Sequence, residues 1–121
     1  DAGLQHLSGL TKLRLLDLGY TKVSDEGLEH VKGLTNLRTL HLDCTEVTDG
    51  GLKHLKRMTQ LEELVLGGSQ VTGAGLDQLH GSTRLRILAL SKSQAPHAGV
   101  EKLQRALPKC RIEEWPPGHI F

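Results

Sequence analysis

The chain has 121 residues, one domain's worth, and a net charge of +1, a balance that creates no global field to attract nucleic acid or an anionic membrane. Aromatic residues are confined to Tyr20, Trp115 and Phe121, so leucine supplies the apolar mass, and a core built from one residue type implies one layer copied many times. No apolar run approaches the roughly 18 residues that span a bilayer; Cys44 and Cys110, far apart, make no disulfide framework and favour a reducing compartment such as the cytoplasm.

In chain order, residues 1–9 (DAGLQHLSG) read as the second half of a repeat. Four segments of 24 residues follow without a gap: 10–33, 34–57, 58–81 and 82–105. Each carries a first leucine column at its fourth position, Leu13/Leu37/Leu61/Leu85. Then come Leu16/Leu40/Leu64/Leu88 and, two residues on, Leu18/Leu42/Leu66/Leu90. Two inward leucines flanking one outward residue are strand alternation. The chain then turns at Thr21, Thr45, Ser69 and Ser93, where a small hydroxyl can bond backbone groups that leave the sheet. Val23, Val47, Val71 and Ala95 re-enter the core.

The second half of each segment is predicted to be a short helix. Ser24, Thr48 and Thr72 are suited to N-caps, Asp25 and Asp49 to the positive end of the helix dipole, and Pro96 to a first helical turn. The pairs Leu28/Val31, Leu52/Leu55, Leu76/Leu79 and Val100/Leu103 face inward. Gly27, Gly51, Gly75 and Gly99, with Gly3 in the same column, cost a helix about 1 kcal/mol each relative to Ala; their regularity implies close passage of neighbouring helices. Residues 106–121 begin another repeat and then leave the pattern as a C-terminal cap: Cys110 and Ile112 point inward from a last strand, and Trp115-Pro116-Pro117 ends the array, with Trp115 over the final leucine layer. No cap precedes Asp1. The strand around Leu16 is therefore expected to be an open edge, with further repeats ahead of it in a longer protein or, alternatively, a minimal N-terminal helix in a short one. Such an edge also invites homo-association.

The pattern L-x-x-L-x-x-L-x-L-x-x-[TS]-x-V-[TS]-D-x-G-L-x-x-L resembles the leucine-rich repeat family over nearly the whole chain, most closely the bacterial 24-residue repeats and those of F-box-type adaptors. The family often has Asn or Cys at the turn where this chain has Thr or Ser. The resemblance implies an α/β solenoid with a parallel sheet on the concave side and helices on the convex side, in a single domain spanning 1–121. It also implies protein recognition.

The residues displayed by the strands, outside the core, form columns: Arg14/Arg38/Glu62/Arg86, Leu15/Thr39/Glu63/Ile87, Asp17/His41/Val65/Ala89 and Gly19/Asp43/Gly67/Ser91, with Tyr20, Cys44 and Lys92 at the rim. Strands about 4.8 Å apart place Asp17 beside His41 and near Asp43. A thiol, an imidazole and a carboxylate are the parts of a cysteine nucleophile, and Asp17, His41 and Asp43 are potential metal ligands. Alternation turns Cys44 away from that face, however, and nothing supplies an oxyanion hole; the cluster reads as a solvated part of a binding surface. His6, His30 and His54 share a helix column but lie too far apart for easy zinc chelation. Arg14, Arg38 and Arg86 lack the aromatic partners of a nucleic-acid surface, and Gly67-Gly68 lacks the Lys-Ser/Thr of a phosphate loop. The sequence thus assigns no catalytic residue, metal or cofactor. It points to a module that binds a protein, not nucleic acid or membrane, through Arg14, Asp17, Tyr20, Arg38, His41, Asp43, Glu63 and Arg86. The alternatives are a metal or cysteine site at Asp17, His41, Asp43 and Cys44, and a spacer in a longer solenoid.

Overall fold

A computed structural model describes residues 1–91, 97–114 and 119–120. Among these residues six strands make one sheet in sequence order: β1 (Leu15–Asp17), β2 (Thr39–His41), β3 (Glu63–Val65), β4 (Ile87–Leu90), β5 (Arg111–Glu114) and β6 (His119–Ile120). The first five are parallel, in a register that sets Leu16, Leu40, Leu64, Leu88 and Ile112 side by side. The repeat length of the sequence is therefore also the step between strands. β6 returns antiparallel to β5, a closing hairpin with no counterpart among the predicted elements.

The helical half of each repeat departs from the uniform α-helix expected. Ala2–Leu7 and Asp49–Arg57 are 3-10 helices; α1 (Asp25–Val31) and α3 (His97–Ala106) are α-helical; α2 (Gly73–Leu76) continues as a 3-10 turn, Asp77–Leu79. Apolar spacing permits the 3-10 form but does not select it, since Leu28, Val31 and Leu34 have the same spacing around the α-helical α1. Leu52, Leu55 and Met58 recur every third residue, and a 3-10 helix with three residues per turn stacks them on one face; all three are 0–1% exposed. The adjacent Gly50 and Gly51 weaken the α-helical alternative. In α3 the spacing is Val100, Leu103, Leu107, the i, i+3, i+7 pattern of an α-helix.

The core is one continuous cluster between sheet and helices, containing every full copy of the three leucine columns from Leu37 onward and the Val23/Val47/Val71 column. The turn hydroxyls behave as the sequence implies. Thr45 Oγ1 donates to the Leu42 carbonyl (2.7 Å) and Ser69 Oγ to that of Leu66 (2.6 Å), both buried, and Thr21 repeats the bond at 2.6 Å in an exposed setting.

Capping is more elaborate than expected. Thr48 Oγ1 does accept from Gly50 N (3.2 Å), but Ser24 and Thr72 make no side-chain cap. Their hydroxyls are turned to the preceding repeat. Asp25 Oδ1 accepts from Thr48 N (2.8 Å) and Oδ2 from Thr48 Oγ1 (2.5 Å). Asp49 grips Thr72 in the same way, at 2.7 and 2.5 Å, and Asp1 grips Ser24 through both atoms. Each carboxylate fills the space over the glycine of the next repeat: a Cβ on Gly27, Gly51 or Gly75 would collide with Asp1, Asp25 or Asp49 respectively. The close passage inferred from these glycines is thus an aspartate crossing between repeats. The series stops where the sequence changes both halves together, at Gly73 in place of the aspartate and Pro96 in place of the hydroxyl donor.

At the C-terminal end Cys110 and Ile112 are buried, at 3% and 4% exposure, and so point inward as expected. Gln104 Nε2 ties the turn by donating to the carbonyls of Leu107 (3.0 Å) and Cys110 (2.8 Å). Burial pushes the Cys110 thiol up to about 11. The readings placed on Lys92, Ser93, Ala95, Pro96, Trp115-Pro116-Pro117 and Phe121 lie outside the described residues.

Candidate functional site

Alternation turns two columns of side chains away from the core. One runs Leu15, Thr39, Glu63, Ile87, Arg111 and the other Asp17, His41, Val65, Ala89, Glu113. Leu15 is 59% exposed. Two of the positions expected to be displayed are not: Ala89 and Gly67 are buried, because side chains this small sit below the level of their neighbours. Just before the strands, Arg14, Arg38 and Arg86 are exposed as expected, and Glu62 lies 3.9 Å from Arg86. Lys12, Arg14, Asn36, Arg38 and Gln60 line a notch of about 200 Å³. None of the ion pairs among the described residues involves Lys12, Arg14 or Arg38, so this end of the face carries uncompensated positive charge.

The parallel pairing of β1 and β2 brings Asp17 to His41, with Oδ2 3.6 Å from Nδ1. On the other side Glu63 Oε1 stands 3.9 Å from Nε2, a nitrogen shielded from solvent and without a hydrogen bond. Asp17 is fixed locally by accepting from Gly19 N at 2.9 Å. Gly19 also leaves room for Asp43: a Cβ there would stand 2.7 Å from Asp43 Oδ1 and 3.1 Å from Asp17 Oδ1. One ligand atom from each of Asp17, His41 and Asp43 lies within 4.8 Å of the others. Among the described residues this is the one such convergence, and His6, His30 and His54 take no part in it. Next to it a depression of about 240 Å³ is bordered by His41, Asp43, Glu63, Val65, Ile87 and Glu113.

The rim shows a feature that sequence reasoning missed. Tyr20, Cys44 and Gly68 occupy one column and all have left-handed backbone, with φ of 61°, 54° and 78°. Only the glycine accepts this without steric cost; for other residues it costs about 1–3 kcal/mol. The signal available was Gly68 itself, since a column glycine reveals the backbone demanded of its column mates. Cys44 Sγ packs against Gly68, 2.7 Å from where a Cβ would be. The Cys44 and Tyr20 side chains are neighbours at the rim, and Tyr20 is 72% exposed. Loss of surrounding water, then the adjacent Cys44 and Asp43, raise the Tyr20 phenol above its ordinary pKa. Cys44 is therefore engaged at the rim, apart from the imidazole of His41. No helix among the described residues is long and apolar enough to cross a membrane.

The leucine-rich repeat family model matches residues 9–31 and 33–56, two adjacent copies of the segment that the sheet register repeats. The chain folds as a leucine-rich repeat solenoid. It is similar to internalin C2 of Listeria monocytogenes, at 26% identity and a TM-score of 0.74 over 89% of this chain and 44% of that one. A leucine-rich repeat protein of Leptospira interrogans shares the fold at 22% identity and a TM-score of 0.68, with 89% and 27% covered. Another Listeria internalin does so at 23% and 0.56, with 91% and 36% covered. All three are bacterial, as the sequence resemblance implied, and this chain spans less than half of each. No curated protein matches it by sequence.

Proposed function

We propose that this leucine-rich repeat segment is a protein-binding module that uses its concave sheet face together with the adjoining rim. The observation that carries the reading is a rigid parallel sheet whose core columns are uniform while its display columns are chemically varied and divided by charge. Arg14, Arg38 and Lys12 form a basic end without acidic partners; Asp17, Asp43 and Glu63 make the neighbouring strip acidic, while Glu113 is paired with Arg111. A uniform core with varied display is what a scaffold for recognition needs, since side chains change without disturbing the layers. Complementary charge sets partner choice and orientation more than raw affinity. Binding rather than catalysis is supported by Cys44, whose thiol packs against Gly68 beside Tyr20.

The area of the face limits how it works. Four inter-strand steps of about 4.8 Å and four or five displayed residues per strand give on the order of 300 Å², against about 800 Å² per partner in a standard interface. A partner of ordinary size therefore extends over the rim, where the exposed Tyr20 supplies an aromatic anchor. Reversing the charges of Arg38 and Glu63 together is expected to weaken binding to a partner co-purified with the intact protein while leaving the melting temperature nearly unchanged. Equal binding by the double mutant would move recognition to the convex side, around His30 and His54.

A further inference from the structure

We propose that Asp17, His41 and Asp43 form a site for one borderline divalent cation, Zn²⁺ by preference, on the concave face. Three independent constraints converge on the same point. First, the donor set is one imidazole and two carboxylates, whose combined charge with neutral histidine is that of a divalent ion's counter-charge, and the three ligand atoms already lie within 4.8 Å of one another. Zn–N and Zn–O bonds of about 2.0–2.2 Å require donors roughly 3.3–3.6 Å apart. The Asp17 Oδ2 to His41 Nδ1 distance is 3.6 Å, so that pair already has the spacing. Asp43, half-buried at the face, supplies the third donor within the same 4.8 Å.

Second, the imidazole has a partner on each side. With Nδ1 toward the cation, Nε2 carries the proton, and that nitrogen is solvent-shielded, lacks a hydrogen bond and faces Glu63 Oε1 at 3.9 Å. A metal-bound histidine characteristically donates its other N–H to a carboxylate, which fixes the tautomer and strengthens the ligand. Glu63 is in place for that role as a positioning residue. Third, the chain places two carboxylates together over Gly19, and among the described residues the Asp43 side chain has neither a hydrogen bond nor an ion pair. A cation between them answers both aspartates. Imidazole ligation selects zinc and its first-row neighbours over Mg²⁺ and Ca²⁺, which take oxygen ligands. Three protein ligands leave a coordination position open on the exposed side.

The site does not depend on the protein-binding reading, and cation binding is measured with the chain alone. Isothermal titration of Zn²⁺ into the protein at neutral pH is expected to show one saturable site. His41→Ala and Asp43→Asn should each weaken it more than tenfold, and Glu63→Gln about tenfold, the usual effect of removing the partner of a ligating histidine. Cys44→Ser and His30→Ala should leave it unchanged, as should a large excess of Mg²⁺. None of the substituted positions is fully buried, and the melting temperature of each apo variant reports its folding; Asp43→Asn decides if His41→Ala is unfolded. The absence of saturable binding overturns the proposal. So does binding that survives both His41→Ala and Asp43→Asn, or that is lost in His30→Ala, which would assign the ion to the convex histidines.

Discussion

The first full repeat and the second carry nearly the same residues in the same columns, yet their energetic positions differ. Leu10 is 49% exposed where Leu34 is 0%, and Leu16 is 9% exposed where Leu40 is 0%. Leu13 and Leu18 are half-buried while Leu37 and Leu42 are fully enclosed. Thr21 makes the same hydroxyl bond as Thr45, but in an exposed turn rather than a buried one. The Asp1 bonds to Ser24 are exposed, whereas those of Asp25 to Thr48 are partly buried. Identical side chains therefore do not contribute identical stability in a solenoid. Burial belongs to the contact between layers, and a column residue is enclosed only when a layer lies on each side.

The contrast is sharpest in the core. Leu40→Ala should cost about 2–5 kcal/mol, the range for a fully buried leucine that leaves a cavity. Leu10→Ala should stay within about 0.5 kcal/mol, as for an ordinary surface change. Denaturant unfolding of the two variants measures the difference, and equal losses would mean that the first layer is as enclosed as the second.

At the inter-repeat aspartates, Asp25→Ala leaves Thr48 N without its acceptor and should cost about 1–3 kcal/mol, with a smaller loss for Asp1→Ala. Two neighbouring glycines test the same contact with opposite signs. Alanine at an open helix position normally gains up to about 1 kcal/mol over glycine. Gly50→Ala, whose Cβ would be 3.4 Å from the nearest Asp25 oxygen, should be neutral or stabilising. Gly51→Ala, whose Cβ would occupy the place of the Asp25 carboxylate, should destabilise. Thermal melts that rank these two alanines the other way would remove the carboxylate from its assigned place.

Thr45→Val should lose about 1–3 kcal/mol, because an isosteric methyl leaves buried polar groups unpaired, and Thr21→Val less, because water replaces the hydroxyl. The smallest effect concerns the thiols. Cys110 is raised from an ordinary 9.0 to about 11 in the folded chain. The unfolded chain therefore releases that proton first, and stability should fall as pH rises from about 9 toward 11. Cys110→Ala should flatten that slope. In the native protein Cys110 should alkylate more slowly than Cys44, which is only half-buried.

The parallel sheet, its register and the inward columns were legible because each is a period-24 repetition of leucine, and repetition survives any error in reading one copy. The hydroxyl at the turn was legible for the same reason. The pairing of Asp17 with His41 followed from counting strands, but the role of Glu63 on the far side of the imidazole did not, since it depends on side-chain reach. Asp25 and Asp49 were placed correctly at helix starts and understood too locally: the helix dipole explains an aspartate there, but not why the next repeat supplies a hydroxyl and then a glycine beneath it. That relation crosses 23 residues, and its trace is the joint loss at Gly73 and Pro96. The left-handed backbone at Tyr20 and Cys44 was illegible from those residue types, which ordinarily avoid it.

The aspartate contact also determines which pieces of this chain are interchangeable. Residues 34–57 contain both halves of it, Thr48 to receive the carboxylate before and Asp49 to reach the repeat after. A tandem copy of that segment would meet itself with matching parts, so the array can be lengthened there by any number of identical inserts. Residues 58–81 carry the receiving half in Thr72 but have Gly73 where the reaching half would be. A copy of that segment would leave an unengaged hydroxyl at the new junction. Lengthening at 34–57 should widen the sheet by about 4.8 Å per insert without weakening it, whereas lengthening at 58–81 should introduce a weak joint at which the longer array opens first.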